Sequence, residues 1–103
     1  MSAIETAKKI IEKFGTNDVL LIAERSNVPV VYGDWHPATV GEFDRKTRTI
    51  CVNRRAVVEK KYSERAIIAH ELGHFFAAVF NLDKKSEEIF ACEFAGELLK
   101  AHD

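Results

Sequence analysis

The apolar positions of this chain follow two periods. Over residues 2–14 they recur every three or four places, at Ile4, Ala7, Ile10, Ile11 and Phe14, which predicts an amphipathic helix. Ser2 and Glu5 have the spacing of a capping box and Gly15 follows the last apolar position, so both ends are marked. A second helix is expected through Val19, Leu20, Ile22 and Ala23, ending near Ser26, with Thr16 or Asn17 as its cap. The pattern then changes. Val28-Pro29-Val30-Val31-Tyr32 is β-rich, and residues 33–37 form a loop by their breakers. Residues 39–43 and 48–53 read as two strands joined by a hairpin turn at Asp44-Arg45-Lys46-Thr47. In the second strand Arg48, Ile50 and Val52 face one way and Thr49, Cys51 and Asn53 the other.

The helical period returns after a charged connection, whose apolar centre Ala56-Val57-Val58 suggests a short helical turn. Ser63 is a fitting N-cap, and Glu64 lies where a helix dipole favours an acid. The helix is predicted over 64–80, apolar on most sides through Ile67, Ile68, Leu72, Phe75, Phe76 and Val79, and therefore central to the core. Gly73 inside it costs about 1 kcal/mol of propensity relative to alanine, which points to close approach by another backbone, expected to be a strand. After a break at 81–85, a last helix over 86–101 offers Ile89, Phe90, Ala91, Phe94, Ala95, Leu98 and Leu99 to the core. The elements add up to an α+β fold: two N-terminal helices, a small, mainly antiparallel three-stranded sheet, then two packed helices. Residues 1–103 suit one domain.

Composition narrows the class. Apolar residues make up 47% and charged residues 30%, as in a globular chain. No apolar run approaches the roughly 18 residues needed to span a bilayer, and the first residues lack the basic-then-apolar pattern of a secretory signal. Two cysteines, Cys51 and Cys92, are too few for a disulfide framework and read as thiols of a cytoplasmic protein. The net charge of −1 predicts no general attraction to nucleic acid. Residues 44–65 nevertheless carry a local excess of cations. With no aromatics interleaved as in a strand-binding groove, a solvated basic surface is the plainer expectation.

The chemistry sits in the core helix. His70-Glu71-Leu72-Gly73-His74 is an H-E-x-x-H pentad, which a chain with 4 histidines in 103 residues contains by chance about 0.02 times. Residues four apart share a helix face, so both imidazoles reach one metal ion, and Glu71 borders that face as a base for water. A catalytic zinc site needs a third protein ligand. The final helix, the expected antiparallel neighbour, supplies the acids Glu87, Glu88, Glu93 and Glu97.

Gly41-Glu42-Phe43-Asp44, Thr49-Ile50-Cys51-Val52-Asn53, Ala69-His70-Glu71-Leu72-Gly73-His74-Phe75 and Ala91-Cys92-Glu93-Phe94-Ala95-Gly96-Glu97-Leu98-Leu99 occur in that order. Together they resemble the ImmA/IrrE family of zinc metallopeptidases. That resemblance implies a metal ligand at Glu88, the first glutamate of the family's Glu-x-Glu-Ala-Asn/Asp-x-Phe-Ala segment. Phe90 stands in place of the second glutamate and Cys92 in place of the Asn or Asp. Zinc also accepts a thiolate, so Glu87, Cys92 and Glu93 stay open beside Glu88. The resemblance further implies a narrow protein substrate, typically a helix-turn-helix repressor encoded nearby; from charge and apolar runs, no direct contact with nucleic acid or membrane is expected.

The expectation is thus a Zn2+-dependent endopeptidase with His70, His74 and Glu88 as ligands and Glu71 as general base. His36, Tyr32, Tyr62 and His102 are candidate donors to the oxyanion. The strand 48–53 is the expected sheet edge for an extended substrate. The rival expectation is a non-catalytic metal-binding module that regulates a partner protein, for which the zinc would have a fourth protein ligand such as Cys92.

Overall fold

The computed structural model describes residues 1–35, 39–59 and 63–100. Among them are five α-helices, α1 (Ala3–Phe14), α2 (Val19–Arg25), α3 (Arg54–Glu59), α4 (Glu64–Ala77) and α5 (Lys84–Lys100), and three strands, β1 (Val30–Gly33), β2 (Gly41–Asp44) and β3 (Thr49–Asn53). The fold is α+β. Local chemistry sets most of the boundaries. The Ser2–Glu5 capping box is reciprocal, and Gly15 ends α1 in the left-handed region at φ 66°. The cap of α2 is Asp18, not Thr16 or Asn17: its Oδ1 accepts the Leu20 and Leu21 N–H groups at 3.0 and 3.2 Å, while Thr16 Oγ1 accepts from Asp18 N. Ser63 caps α4 as expected. α5 starts at Lys84, earlier than its apolar pattern suggests, because Asp83 caps it: Asp83 Oδ1 accepts from Ser86 N at 2.7 Å.

The sheet is mixed rather than mainly antiparallel. Its order is β1-β3-β2, with β1 parallel and β2 antiparallel to β3. The strand expected at the edge is therefore the central one. The chain passes from β1 to the far side of β3, and the hairpin then returns it between the two. β3 has both ladders filled, and the edges belong to β1 and β2. Ile50 and Val52 point into the core as the alternation predicts. Asn53 is fully buried, and its Nδ2 donates to the carbonyls of Trp35 (3.2 Å) and Thr39 (2.8 Å) while its Oδ1 accepts from Arg55 N (3.0 Å). Asp44 accepts from Lys46 N and Thr47 N, closing the hairpin turn.

α4 occupies the middle, in contact with α5, β2, β3, α2 and α1. Ile68, Leu72, Phe94, Leu98, Ile22, Ile50 and Val52 are fully buried around it. Ile4 and Ile89 were expected in the core but lie exposed, each on the outer side of its helix. After Ala77 the backbone tightens into a 3-10 turn at Ala78–Phe80. Gly73 does receive another backbone, but from a helix rather than a strand. A Cβ there would stand 2.6 Å from Ala91 Cα and 2.9 Å from Ala91 O. No helix among the described residues is long and apolar enough to cross a membrane.

Gly73→Ala is expected to force α4 and α5 apart and cost about 1–3 kcal/mol, as overpacking does. Gly96 lies in α5 with nothing within 4 Å of its missing Cβ, so Gly96→Ala should gain about 0.5–1 kcal/mol of helix propensity. Urea unfolding of the two variants measures both signs.

Candidate metal centre

His70, Glu71 and His74 sit along the middle of α4, and the start of α5 crosses them because Gly73 and Ala91 allow the two helices to touch. The contact aims α5's first turn at the imidazoles. Glu88 Oε2 lies 3.0 Å from His70 Nε2, and Glu88 Oε1 lies 3.1 Å from His74 Nε2. One carboxylate thus faces both histidines through the same kind of ring nitrogen. Glu87, its neighbour, takes the other side: its Oε2 is 2.8 Å from His74 Nδ1, and Arg45 from the hairpin turn pairs with its second oxygen. The side chains differ in exposure, 11% for Glu87 and 56% for Glu88. Glu87 is therefore the enclosed brace and Glu88 the reachable donor.

The charges fit that division. Burial works against ionisation of Glu87, but hydrogen bonds from Arg45 and His74 outweigh it and hold its carboxyl below the usual range. Glu88 is likewise held low, where the histidines overcome partial burial. An ionised Glu87 can only accept, so His74 Nδ1 carries a hydrogen toward it. At 3.0–3.1 Å a hydrogen or a metal ion stands between each Nε2 and the carboxylate. Tetrahedral zinc with bonds of about 2.0–2.1 Å separates its ligand atoms by about 3.3 Å, close to each of these two histidine–carboxylate distances.

Glu71 is buried against β2 and lines the same cleft of about 370 Å³, together with Gly41, Glu42, Phe43 and Arg45. A Cβ on Gly41 would strike Ile67 Cγ2 at 2.5 Å and sit 3.6 Å from Glu71 Oε2, so that glycine brings the strand down onto the helix beside the carboxyl. Burial pushes the Glu71 pKa up to about 7; His74 opposes the shift and Glu88 and Glu42 add to it.

The alternatives to Glu88 differ in their contacts. Cys92 Sγ lies 3.7 Å from Glu88 Oε2 but 3.9 Å from His70 Nδ1, the nitrogen turned away from the Glu88 contact. His70, Glu88 and Cys92 form a group whose donor atoms all lie within 4.8 Å of one another, a group that does not include His74. The pair of Nε2–carboxylate contacts, by contrast, joins both histidines to one acid. Glu93 is exposed and does not line the cleft. Phe90 stacks between Phe80 and Phe94 in the core. Tyr32 is tied elsewhere: its hydroxyl donates to Glu64 Oε1 at 2.7 Å at the start of α4, and partial burial with that contact raises its pKa to about 12. His36, Tyr62 and His102 lie outside the described residues.

The brace formed by Glu87 and Arg45 has no counterpart in the sequence expectations. Its signal was present: Glu87 stands four residues before Ala91 on the face that α5 turns to α4, and an acid on a buried face needs a partner. No protein-family model, curated protein or solved structure matches this chain, so the functional reading rests on its own residues.

A raised carboxyl pKa means the folded state holds a proton that the unfolded chain releases. The stability this gives is present below 4.5 and lost as pH rises through about 7. In chelator, Glu71→Gln should therefore lose less stability than the parent protein across that window, read by thermal unfolding at a series of pH values.

Proposed function

We propose that this chain is a zinc-dependent endopeptidase that resembles the ImmA/IrrE enzymes and acts in the cytoplasm on a specific protein, a helix-turn-helix repressor encoded nearby. The observation that carries the reading is the convergence of His70 Nε2 and His74 Nε2 on the Glu88 carboxylate, with the buried carboxyl of Glu71 in the same cleft. His70, His74 and Glu88 would hold the ion, three protein ligands being the usual number at a catalytic zinc. Bound zinc supplies a water acidified to a pKa of about 7 and a Lewis acid for the scissile carbonyl.

The chain's own groups do the rest. Glu71 takes the proton from the attacking water and returns it to the leaving nitrogen; a carboxyl poised near neutrality serves in both directions. Glu87 fixes the His74 tautomer through Nδ1, and Arg45 keeps Glu87 ionised and in place. The outer edge of β2, beside Glu71 at Gly41, is the strand that receives an extended substrate. This supports edge pairing of the substrate but moves it from β3 to β2.

A specific contact favours the second reading, a metal-binding module without catalysis. Cys92 lies in one donor group with His70 and Glu88, and a thiolate in the fourth position would exclude water. The two readings part on the Cys92→Ser variant. The enzyme keeps one zinc per chain and its cleavage; the module loses affinity for the metal.

Glu71→Gln should keep zinc and fold yet lower cleavage of the neighbouring repressor by at least about 100-fold, while His70→Ala and Glu88→Ala should lose zinc. Metal analysis and gel cleavage assays read the two properties separately, and a Glu71→Gln protein that still cuts removes Glu71 as the base.

Glu87→Gln should weaken zinc binding about 10- to 100-fold without changing the ligand count. Competition against a fluorescent chelator measures it, and unchanged affinity removes the brace from the metal site.

A further inference from the structure

A larger hollow adjoins the metal cleft. It encloses about 720 Å³ between α1, the hairpin and the end of α4. Ile10, Phe43, Phe75, Phe76 and Phe80 line it, and Val79 beside them is 82% exposed. The charged groups around it are all cations, Lys9, Arg45 and Arg48; among the described residues no acidic side chain lines it. Arg48 lies over the Phe75 ring at 5.3 Å and Arg45 is engaged by Glu87, so the positive charge is held at the wall rather than swung into solvent. Two of these cations come from the basic segment 44–65, which thus lends part of its charge to an apolar opening. Phe43 and Arg45 line this hollow and the metal cleft alike.

We infer that the hollow anchors the protein substrate by a segment in which a leucine or aromatic side chain stands next to an acidic residue. The inference rests on the proteolytic reading and adds the substrate's chemistry to it. Three features support it. Aromatic walls and a volume within the range of ligand sites favour apolar side chains. A rim with cations and no acid attracts Asp or Glu and repels Lys or Arg, which gives selection as well as attraction. Continuity supplies the third. β2 runs from Gly41, beside Glu71, to Phe43 and the hairpin, where the hollow opens. A strand laid along that edge keeps step with it residue for residue, so the anchoring side chain falls about two to four residues from the bond that is cut, the separation of Gly41 from Phe43 and Arg45.

The test uses two fluorescein-labelled peptides, one carrying Asp-Leu-Phe-Asp and the other Lys-Leu-Phe-Lys, with chelated protein so that binding is read without catalysis. Fluorescence anisotropy should show the acidic peptide bound at least about tenfold more tightly. The double variant Lys9→Glu/Arg48→Glu alters two exposed residues outside the metal machinery. It should lose that preference and favour the lysine peptide. Equal affinity of the parent protein for both peptides overturns the inference, as does an unchanged preference in a variant whose circular dichroism is that of the parent. Binding of dodecanoate that neither peptide displaces also overturns it, in favour of a small amphiphile. The zinc-loaded protein separates this inference from the reading beneath it. Repressor cleavage with equal kcat/KM in parent and double variant sinks the anchor and leaves the protease standing. Charge-selective peptide binding with no cleavage by the parent sinks the protease, and the hollow's assignment to a substrate with it.

Discussion

The site depends on how closely α4 and α5 approach. Gly73 offers no side chain and Ala91 fills the space that a Cβ would need. Without that contact the first turn of α5 stands off, and neither Glu87 nor Glu88 reaches an imidazole. The glycine weakens an isolated helix, yet here it exchanges a small loss of propensity for the packing of two helices and the assembly of a donor set. The aromatic stack of Phe76, Phe94, Phe90 and Phe80 continues the same interface beyond the histidines. The geometry of the polar cluster is thus fixed by apolar packing on its far side.

Inside the cluster, position sorts chemically similar groups into different roles. Three glutamates lie near two histidines. Glu87 is enclosed and paired with an arginine, Glu88 is open to solvent, and Glu71 is buried against a strand. The first two are held ionised, and the third is driven toward its neutral form. Burial alone raises a carboxyl; burial beside a cation does not. That contrast separates two carboxylates that keep their charge from one poised to give it up.

Much of this was legible along the chain. Caps and helical stripes are local signals, so α1 and α4 and the presence of two strands around a tight hairpin could be read directly. The pentad is itself a helical spacing, and the placement of His70, Glu71 and His74 follows from it. What escaped was non-local. β1 pairs with β3 rather than extending an antiparallel meander, so the expected edge strand became the centre of the sheet. The partner of Gly73 was mistaken for a strand because a glycine announces a close neighbour without saying which. Asp83 caps α5 by accepting from the Ser86 N–H, so the helix begins ahead of its apolar pattern. Arg45 and Glu87 lie far apart in sequence, and only the tertiary fold brings the hairpin turn to the end of α5.

Asn53 carries a consequence for the order in which this topology assembles. The hairpin closes over a few residues, whereas Val31 must find Cys51 across the whole β2 excursion. Short closures form early and long ones late, so β1 docks onto a ready-made two-stranded ribbon. The Asn53 amide grips Trp35 and Thr39, flanking the crossover, and it both gives and takes hydrogen bonds. A residue of similar size without those paired capacities would let the ribbon form and leave its third member unlatched, so one buried amide decides whether the sheet gains its parallel strand.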